Sequence, residues 1–376
     1  MPNTVIIGGS VAGFSVAAGL RDAGYTGGVT IIDPHETALD RPPLSTEYLV
    51  GDDVELALAP DQWFVDNAVT WIQDTVLRLN QRPAHGSSRL VVETLTEQVE
   101  ADEVVIATGA VPKTLELDKP VYTLRSLADA DALRDALRPG TSVAIAGSGL
   151  LAPELATSAK HLGANVTAFT PQVPATQIFG ELADVLYTTM TEQVEVVPRR
   201  LTVSENLDHF DIVIAAVGVE PAVTVAEGSG VSIDDGIVVD DGYRTSLAGV
   251  YAIGDVCRKH GQSRQDHWDH GRASAARVVH TIMGTQPDAP TPQWVWSDQF
   301  GHDAQAVGRV IPQAHEQLVH RGDNVIFVVD GDQLIGAAAV DDRKVIRAAT
   351  RMITRGIAVD PDQLADVEMS LRQLLR

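Results

Sequence analysis

The chain has 376 residues, 44% of them hydrophobic, and at about 150 residues per domain this length predicts two or three globular domains. Its 28 Lys and Arg residues against 51 Asp and Glu residues give a net charge of −23. This charge argues against nucleic acid and anionic membranes as partners, because both bind basic surfaces. The single cysteine, Cys257, excludes a disulfide framework, a CxxC redox pair and a thiolate zinc site.

The start of the chain gives no sign of export or membrane insertion. No apolar run reaches the length of about 18 residues that a membrane span needs. The first residues lack the basic segment of a signal peptide, and the apolar run after them breaks at Gly8 and Gly9. We therefore expect a cytoplasmic protein.

The first predicted elements are a strand, a tight glycine turn and a helix, read from TVIIGGSVAGFSVAAGL at 4–20. In a dinucleotide-binding fold the three loop positions permit the turn, the approach of backbone to pyrophosphate, and helix packing. Gly8, Ser10 and Gly13 occupy these positions, and the Ser10 hydroxyl could itself donate to a phosphate. Asp33 ends the next strand and is the candidate for the ribose hydroxyls. The alternative is a glycine turn between any strand and helix.

A second copy of this pattern begins at residue 142, SVAIAGSGLLAPELATS. Its loop, with Gly147, Gly149 and Ala152, fits the G-x-G-x-x-A form of the dinucleotide fingerprint. The strand that follows ends in Thr170, where an NAD-binding module normally carries an acid, and no arginine comes directly after it. We therefore expect weak discrimination between NADH and NADPH.

Each copy is followed by an acid, a buried strand and a Gly-x-x-Pro turn, at 101–112 and 210–221. The repeat predicts two nucleotide-binding modules with parallel sheets, because their strands are apolar on both faces. Further predicted elements follow in chain order: short strands over 235–255, a helix over 267–284, a Pro-rich boundary at 287–292, antiparallel strands, and helices over 342–355 and 361–375.

The chain resembles the FAD-dependent ferredoxin reductases of bacterial oxygenase systems, the putidaredoxin reductase and biphenyl dioxygenase reductase type. The resemblance covers essentially the full length, and the segments that carry it are the first glycine loop, DRPPLS at 40–45, IATGAVP at 106–112, GSGLLAPELA at 147–156, GVEP at 218–221, GIVVDDGYRTSLAGVYAIGDV at 236–256, WVWSDQ at 294–299 and VDPDQLADVEMSLRQLL at 359–375.

The resemblance implies a glutathione-reductase-like α/β flavoprotein with two dinucleotide-binding domains and a C-terminal α+β domain. The FAD domain would comprise 1–109 and 222–290, the NAD(P)H domain 110–221, and the C-terminal domain 291–376. Such enzymes pass a hydride from NADH or NADPH to FAD, and the flavin then gives single electrons to a [2Fe-2S] ferredoxin.

The resemblance also implies individual site residues. Glu154 matches an acid close to the contact between nicotinamide and flavin, and is the predicted catalytic residue. The predicted cofactor contacts are Gly8, Ser10, Ala12, Gly13, Asp33, Arg41, Pro42, Thr46, Ala107, Thr108, Gly109, Gly147, Gly149, Leu150, Gly218, Gly254, Asp255 and Trp296.

Some of these residues have an ordinary structural alternative. Asp255 could cap a helix as well as accept from a ribityl hydroxyl. Glu154 could be an exposed carboxylate favoured by the dipole of its helix. Trp294 and Trp296 could pack in a core rather than against the flavin.

Three departures from the family pattern fall on the nicotinamide side. Thr46 replaces a lysine that pairs with the acid matched by Glu154, so we expect Glu154 to have a raised pKa or to turn toward solvent. Thr170 replaces the ribose acid, and 191–210 is short. A rival function, a flavoprotein with poor use of nicotinamide, fits these departures. A second rival, independent of them, is a reductase of quinones or other small acceptors.

Two remaining signals receive plain interpretations. His267 and His270 lack further spaced ligands, so we expect no metal site, and we expect Cys257 to be a small buried thiol.

An acidic ferredoxin needs a local basic surface, for which the candidates are Arg264, Arg309, Arg321, Arg343, Lys344 and Arg347.

Overall fold

A computed structural model describes residues 2–51, 53–84, 87–202, 206–287, 289 and 291–375. The chain divides into two compact units. The first comprises Met1–Pro42, Glu55–Val111 and Val219–Asp288, and the second comprises Pro43–Val54, Pro112–Gly218 and Ala289–Arg376.

The strands, in chain order, are β1 (Asn3–Ile7), β2 (Gly28–Asp33), β3 (Val69–Gln73), β4 (Val76–Ala84), β5 (Ser87–Thr94), β6 (Gln98–Ala101), β7 (Glu103–Ile106), β8 (Ala110–Pro112), β9 (Val121–Tyr122), β10 (Ser142–Ala146), β11 (Asn165–Phe169), β12 (Glu195–Val197), β13 (Ile212–Ala215), β14 (Val219–Pro221), β15 (Ile237–Val239), β16 (Val250–Ala252), β17 (Cys257–Lys259), β18 (Trp294–Gln299), β19 (His302–Gly308), β20 (Gln317–His320), β21 (Val325–Asp330) and β22 (Gln333–Val340).

The α-helices are α1 (Val11–Asp22), α2 (Glu47–Val50), α3 (Asp61–Asp66), α4 (Leu127–Ala136), α5 (Leu151–His161), α6 (Thr176–Phe179), α7 (Leu182–Gln193), α8 (Trp268–Met283), α9 (Arg343–Arg355) and α10 (Pro361–Ala365).

The first unit is built on a parallel sheet of strand order β16-β7-β1-β2-β3. Its central strands are apolar on both faces, and Val5, Ile6 and Ile31 are fully buried, as expected for a sheet covered on both sides. The chain order reverses between β1 and β7. Ligands of open α/β sheets bind at such a reversal, outside the carboxyl ends of the strands.

The second unit contains a parallel sheet of the same kind, with strand order β12-β11-β10-β13-β9. Its reversal falls between β10 and β13, again where a glycine loop leaves the central strand. The internal repeat in the sequence is therefore a repeat of structure.

The second unit also contains an antiparallel sheet of order β18-β19-β22-β21-β20, confirming the strands predicted in the C-terminal part. Helix α9 covers it with Val345, Ile346 and Met352, and the Asp342 side chain caps the first turn of that helix.

The predicted helices over 267–284 and 342–355 are confirmed as α8 and α9. The long helix expected over 361–375 is wrong, since α10 ends at Ala365. The Arg321 guanidinium donates hydrogen bonds to the carbonyls of Leu364, Asp366, Val367 and Met369, and this holds the segment in a turn rather than a helix. The predicted boundary at 287–292 includes residues 288 and 290, which lie outside the described residues.

Within the part of the chain that the structure describes, no helix has the length and apolar character needed to cross a bilayer.

Candidate cofactor sites

The first glycine loop leaves no room for side chains at two of its predicted positions. Gly8 has φ +103°, and a Cβ there would lie 2.4 Å from the carbonyl oxygen of Ala107. A Cβ on Gly13 would lie 1.9 Å from the carbonyl oxygen of Gly8. Only glycine lets the β1 turn, the end of β7 and the start of α1 approach this closely.

The start of α1 is open to an anion. The Ser10 side chain makes no capping hydrogen bond to the helix, and its hydroxyl donates to the carbonyl of Leu39 (2.9 Å). By contrast, Ser126 caps α4 and His267 caps α8. The first backbone N–H groups of a helix have no partner within it, so this end suits a phosphate. Since the single hydroxyl proton of Ser10 is used inside the protein, the backbone of the loop is the better phosphate donor.

Asp33 is buried at the carboxyl end of β2, as the dinucleotide fold requires. One carboxylate oxygen accepts from the Gly9 backbone N–H (2.6 Å), and the other accepts from the His35 backbone N–H (2.9 Å) and lies 2.7 Å from His35 Nδ1. The carboxylate is thereby tied to the glycine loop. Its contact with a ribose stays a prediction.

The returning chain closes the same edge of the first sheet. Gly254 has φ +69°, its N–H donates to the Ser274 hydroxyl (3.1 Å), and a Cβ on it would lie 3.2 Å from Ala12 Cβ. Asp255 follows it within a short 3-10 turn, Gly254–Val256. Ala12, Gly254 and Asp255 are therefore brought to the start of α1.

The segment after β7 is fastened to the chain that follows β14. The Thr108 hydroxyl donates to the Ala222 carbonyl (2.7 Å), and the Ala222 N–H donates to the Gly109 carbonyl (2.9 Å). These bonds fix the backbone of 107–109 beside the glycine loop. They also mean that the Thr108 hydroxyl has a structural task of its own.

The segment before DRPPLS is held by an indole. Trp268 Nε1 donates to the Asp40 carboxylate (2.8 Å), while burial raises the pKa of Asp40. Arg41 and Pro42, which follow, are half-buried. His267, beside this tryptophan, accepts the His270 backbone N–H on Nδ1 (3.1 Å), so its imidazole is the cap of α8.

The second glycine loop differs from the first at two fingerprint positions, with Gly149 in place of Ser10 and Ala152 in place of Gly13. A Cβ on Gly147 would lie 2.3 Å from the Ala216 carbonyl oxygen, as at Gly8. At Gly149 nothing lies within 4 Å of where a Cβ would be, and at Leu150 no side chain caps α5. The protein itself therefore leaves the space beside Gly149 open. Gly218, with φ +106°, turns the chain after β13 and also has open space beside it.

Glu154, in the first turn of α5, is held by two serines. Ser45 donates to one carboxylate oxygen (2.8 Å) and Ser297 donates to the other (2.6 Å). Burial raises the pKa of Glu154 to about 7 despite these bonds. The predicted rise in pKa is confirmed, and the exposed first-turn alternative is wrong.

The serine donors were not found from the sequence. Ser45 lies within DRPPLS, but Ser297 comes from β18, far along the chain, and neither has a local pattern that points to a carboxylate. Both are buried. Thr46, predicted as a cofactor contact, donates its hydroxyl to the Glu47 carboxylate instead of to Glu154.

A cavity of about 400 Å³ lies next to this group in the second unit. The Ser158 hydroxyl donates to the Ser45 carbonyl (2.6 Å), and the Gln299 amide donates to the Ser297 hydroxyl (3.3 Å). Ser158 and Gln299 both line the cavity, whose remaining lining is Thr46, Glu47, Val50, Thr157, His161, Asp298, Gly301, His302, Asp303 and Asp341.

Trp294 and Trp296 stack on one face of β18, with ring centres 4.6 Å apart and planes 17° from parallel. Trp294 packs against the core under α9 and donates Nε1 to Gln305 (3.2 Å). The core alternative therefore describes Trp294. The flavin contact of Trp296 stays a prediction.

Four of the six basic residues predicted for ferredoxin docking are engaged within the protein. Arg309 pairs with Glu316, Arg343 with Asp303 (2.9 Å) and Arg264 with Asp266 (2.7 Å), and Arg321 binds backbone carbonyls. Lys344 and Arg347 remain exposed on α9.

Cys257 is buried, as predicted, and burial raises the pKa of its thiol to about 12.

Comparison with known proteins agrees with this architecture. Residues 2–275 match the pyridine nucleotide-disulphide oxidoreductase family, and residues 294–375 match the reductase C-terminal family. The chain is 28% identical over 407 residues to the benzene 1,2-dioxygenase system ferredoxin–NAD(+) reductase subunit of Pseudomonas putida, covering 100% of this chain and 98% of that protein. It is 29% identical over 413 residues to the anthranilate 1,2-dioxygenase system ferredoxin–NAD(+) reductase component of Burkholderia cepacia, covering 99% and 98%.

Solved structures give the same result for the fold. The covalent putidaredoxin reductase–putidaredoxin complex matches with a TM-score of 0.87 at 23% identity, covering 100% of this chain and 98% of that one. The ferredoxin reductase for the CYP199A2 system from Rhodopseudomonas palustris matches with a TM-score of 0.87 at 26% identity, covering 100% of both. The predicted fold class and the resemblance are confirmed.

The predicted cofactors, FAD and NAD(H), are those that the matched family uses. The first unit fits FAD because its loop glycines and uncapped helix leave backbone groups open to a pyrophosphate. The chain belongs to the pyridine nucleotide-disulphide oxidoreductase family.

Proposed function

We propose that this protein passes electrons from NAD(P)H through FAD to a [2Fe-2S] ferredoxin that serves an oxygenase or a cytochrome P450. The observation that carries this proposal is the pair of parallel sheets, each with a glycine loop at its reversal point. Full-length similarity to proteins named as ferredoxin–NAD(+) reductases supports the identity of the acceptor.

We assign FAD to residues 1–109 and 222–290. The loop at Gly8–Gly13 and the start of α1 would hold the pyrophosphate, and Asp33 would accept from the ribose beside it. The rest of the cofactor would be lined by Arg41, Pro42, Ala107, Thr108, Gly109, Gly254 and Asp255. When bound, FAD supplies the chemistry that turns a two-electron donor into a one-electron donor.

We assign the nicotinamide nucleotide to residues 110–221, with 291–376 as the C-terminal domain. The pyrophosphate would approach the backbone of Gly147, Gly149 and Leu150, where the space beside Gly149 is open. Gly218 would keep the neighbouring turn free of side chains.

We assign Glu154 as the group that tunes hydride transfer. Near neutral pH its carboxyl exchanges between neutral and charged forms, because its pKa is about 7. A protonated carboxyl adds no negative charge where negative charge develops during reduction, so it replaces part of what a lysine would do. Ser45 and Ser297 hold the carboxyl in place in either form.

The test starts from the purified protein, which we expect to be yellow with one FAD per chain. Rapid mixing with NADH and with NADPH should bleach the flavin, and added ferredoxin should restore its colour. Absence of flavin after gentle purification and added FAD would overturn the proposal. Flavin that binds but is not reduced would favour the specialised flavoprotein, and reoxidation by quinones but not by ferredoxin would favour the small-acceptor reductase.

We also infer a cytoplasmic location. The single cysteine is buried and unpaired by any disulfide, which suits a reducing compartment, and the proposed electron donor is made there. Cell fractionation of the producing organism, followed by immunoblotting, tests this; recovery with the periplasm would contradict it.

A further inference from the structure

An arginine pair lies at the carboxyl edge of the sheet assigned to the nicotinamide nucleotide. Strands β11 and β12 are parallel neighbours, with Phe169 opposite Val197, so both strands end at this edge. The backbone N–H groups of Thr170 and Arg199 both donate to the Val197 carbonyl, at 3.1 and 2.8 Å. The structure therefore brings Arg199 beside Thr170, although the two are well separated in the chain.

The guanidinium of Arg199 is positioned by an aromatic ring. Its central carbon lies 5.7 Å from the centre of the Phe169 ring, and this ring is buried in the core of the sheet. Stacking of this kind favours one orientation of an otherwise flexible side chain. Phe169 directly precedes Thr170, so Arg199 stands at the same carboxyl edge of the sheet as the ribose-binding position. Arg200 follows it and is also exposed.

The residue at the ribose-binding position itself is neutral and turned inward. Thr170 is only 1% exposed, and its hydroxyl donates to the carbonyl of Gln172 (2.5 Å). In NAD-specific modules a carboxylate here accepts from the ribose hydroxyls and would repel a 2′-phosphate. That repulsion is missing, and a guanidinium, which binds phosphate with two parallel hydrogen bonds, stands in its neighbourhood.

We propose that Arg199, assisted by Arg200, forms a subsite for the 2′-phosphate of NADPH. The chain then uses NADPH at least as well as NADH. The inference rests on the proposed function, because it concerns the adenosine end of the same nucleotide site. It revises the expectation of weak discrimination, which considered only the residues that directly follow Thr170.

The test compares NADPH and NADH in rapid-mixing reduction of the FAD-loaded protein. We expect Arg199→Gln to lower kcat/KM for NADPH by about tenfold or more, with NADH changed by less than about twofold, and Arg199→Lys to retain part of the NADPH rate. Calorimetric titration with 2′-AMP gives a readout independent of turnover: binding should weaken in Arg199→Gln by a similar factor. Arg200→Gln should act in the same direction with a smaller effect.

The matched control is Arg138→Gln, which removes an exposed arginine shortly before β10, near the amino ends of the same strands. It should leave both nucleotides unaffected. Equal losses for NADH and NADPH in Arg199→Gln would mean a structural role, and an unchanged ratio would also overturn the subsite. Failure of both nucleotides to reduce the wild-type flavin would instead overturn the proposed function.

Discussion

The side chain with the greatest chemical consequence is Glu154, because its two serine partners do not offset the cost of burying its charge. Its pKa of about 7 in the folded protein lies above the ordinary value of 4.5. Between about pH 4.5 and pH 7, the folded protein therefore keeps a proton on Glu154 that the unfolded chain has already released. Stability is retained below about pH 4.5 and declines as the pH rises toward 7.

The first prediction follows from this linkage. Glu154→Gln should remove the decline, making the variant more stable than wild type near pH 8 by up to about 3 kcal/mol, at about 1.4 kcal/mol per pKa unit. Denaturant unfolding of the FAD-loaded protein between pH 4 and 8, followed at the far-ultraviolet circular dichroism signal, measures it. Asp184→Asn, which removes an exposed first-turn acid from α7, serves as the control. The same pH dependence in Glu154→Gln and wild type would contradict the assignment.

The second prediction concerns the missing lysine. Thr46 follows Ser45, the donor to Glu154, so Thr46→Lys should bring a positive charge close to the carboxylate and lower its pKa. We expect faster flavin reduction at saturating nucleotide, each tenfold gain corresponding to about 1.4 kcal/mol of barrier. Stopped-flow absorbance measures the rate. Thr46→Met, which supplies a similar stem without charge, should give no gain; an equal gain in both variants would show that the charge is irrelevant.

For individual residues, the sequence predicts the role correctly where that role is set by the residue's immediate neighbours in the chain. The glycine loops and Asp33 could be predicted because each stands at a fixed distance from a strand. The Ser297 donor and the Arg199 guanidinium could not, because each meets its partner through a tertiary contact between segments far apart in the chain. The Ser10 hydroxyl was expected to be available to a phosphate, but it donates to the Leu39 carbonyl. Nothing in the sequence indicates that the backbone of Leu39 lies beside Ser10.

Among the elements, the two glycine loops look alike in sequence but differ in what they can tolerate. A Cβ at Gly13, the third fingerprint position, collides with the backbone of its own loop. A Cβ at Gly149, the second fingerprint position of the other loop, meets open space. The first glycine is needed for the fold. Under our assignment, the second is needed only when a nucleotide binds.

The third prediction uses this contrast. Gly149→Ala should fold with a Tm within about 2 °C of wild type and keep its FAD, while the Kd for the nucleotide rises by about tenfold, because the methyl group occupies the path of the pyrophosphate. Gly13→Ala should lose FAD and stability together. Differential scanning calorimetry, flavin absorbance and nucleotide titration separate the two effects. Unchanged nucleotide affinity in Gly149→Ala would place the pyrophosphate elsewhere.

Prediction of elements succeeded where hydrophobic period and end signals agreed, as for α8 with Gly284 after its last residue. It failed after Ala365, although the spacing of apolar residues continues there. The reason is a single side chain: Arg321 binds the carbonyls that the next helical turn would need. A helical period in sequence does not reveal that a distant arginine competes for the backbone.

For the molecule as a whole, the charge distribution matters more than the total of −23. Besides Arg343, which pairs with Asp303, helix α9 presents four exposed basic residues at helical spacing. They form one stripe on its surface: Lys344, Arg347, Arg351 and Arg355. Lys344 and Arg347 belong to the predicted docking surface, and Arg351 and Arg355 extend it along the helix. An acidic ferredoxin would be attracted to it even though the rest of the chain repels negative charge.

The fourth prediction is that electron transfer to ferredoxin slows as salt is raised, because salt screens this attraction. Arg347→Glu should lower the second-order rate at low ionic strength several-fold and flatten its salt dependence. Lys113→Glu makes the same change of charge outside residues 291–376 and should have little effect. The rate of ferredoxin reduction, measured from about 0.02 to 0.5 M salt, gives the answer. A rate that ignores ionic strength would indicate apolar docking.

The division into two units has a consequence for how the protein is made. The chain passes from one unit to the other five times, and β7 of the first unit's parallel sheet pairs with the edge strand β16 near residue 250. During synthesis the first unit must therefore wait, with its edge open, until most of the chain has left the ribosome. The sheet of β9–β13 is complete by residue 215, so it can form earlier. The glycine loop at 8–13 is therefore synthesised early, but the sheet that supports it is complete only after residues near 250 have emerged. Flavin is thus needed late in synthesis rather than at its start.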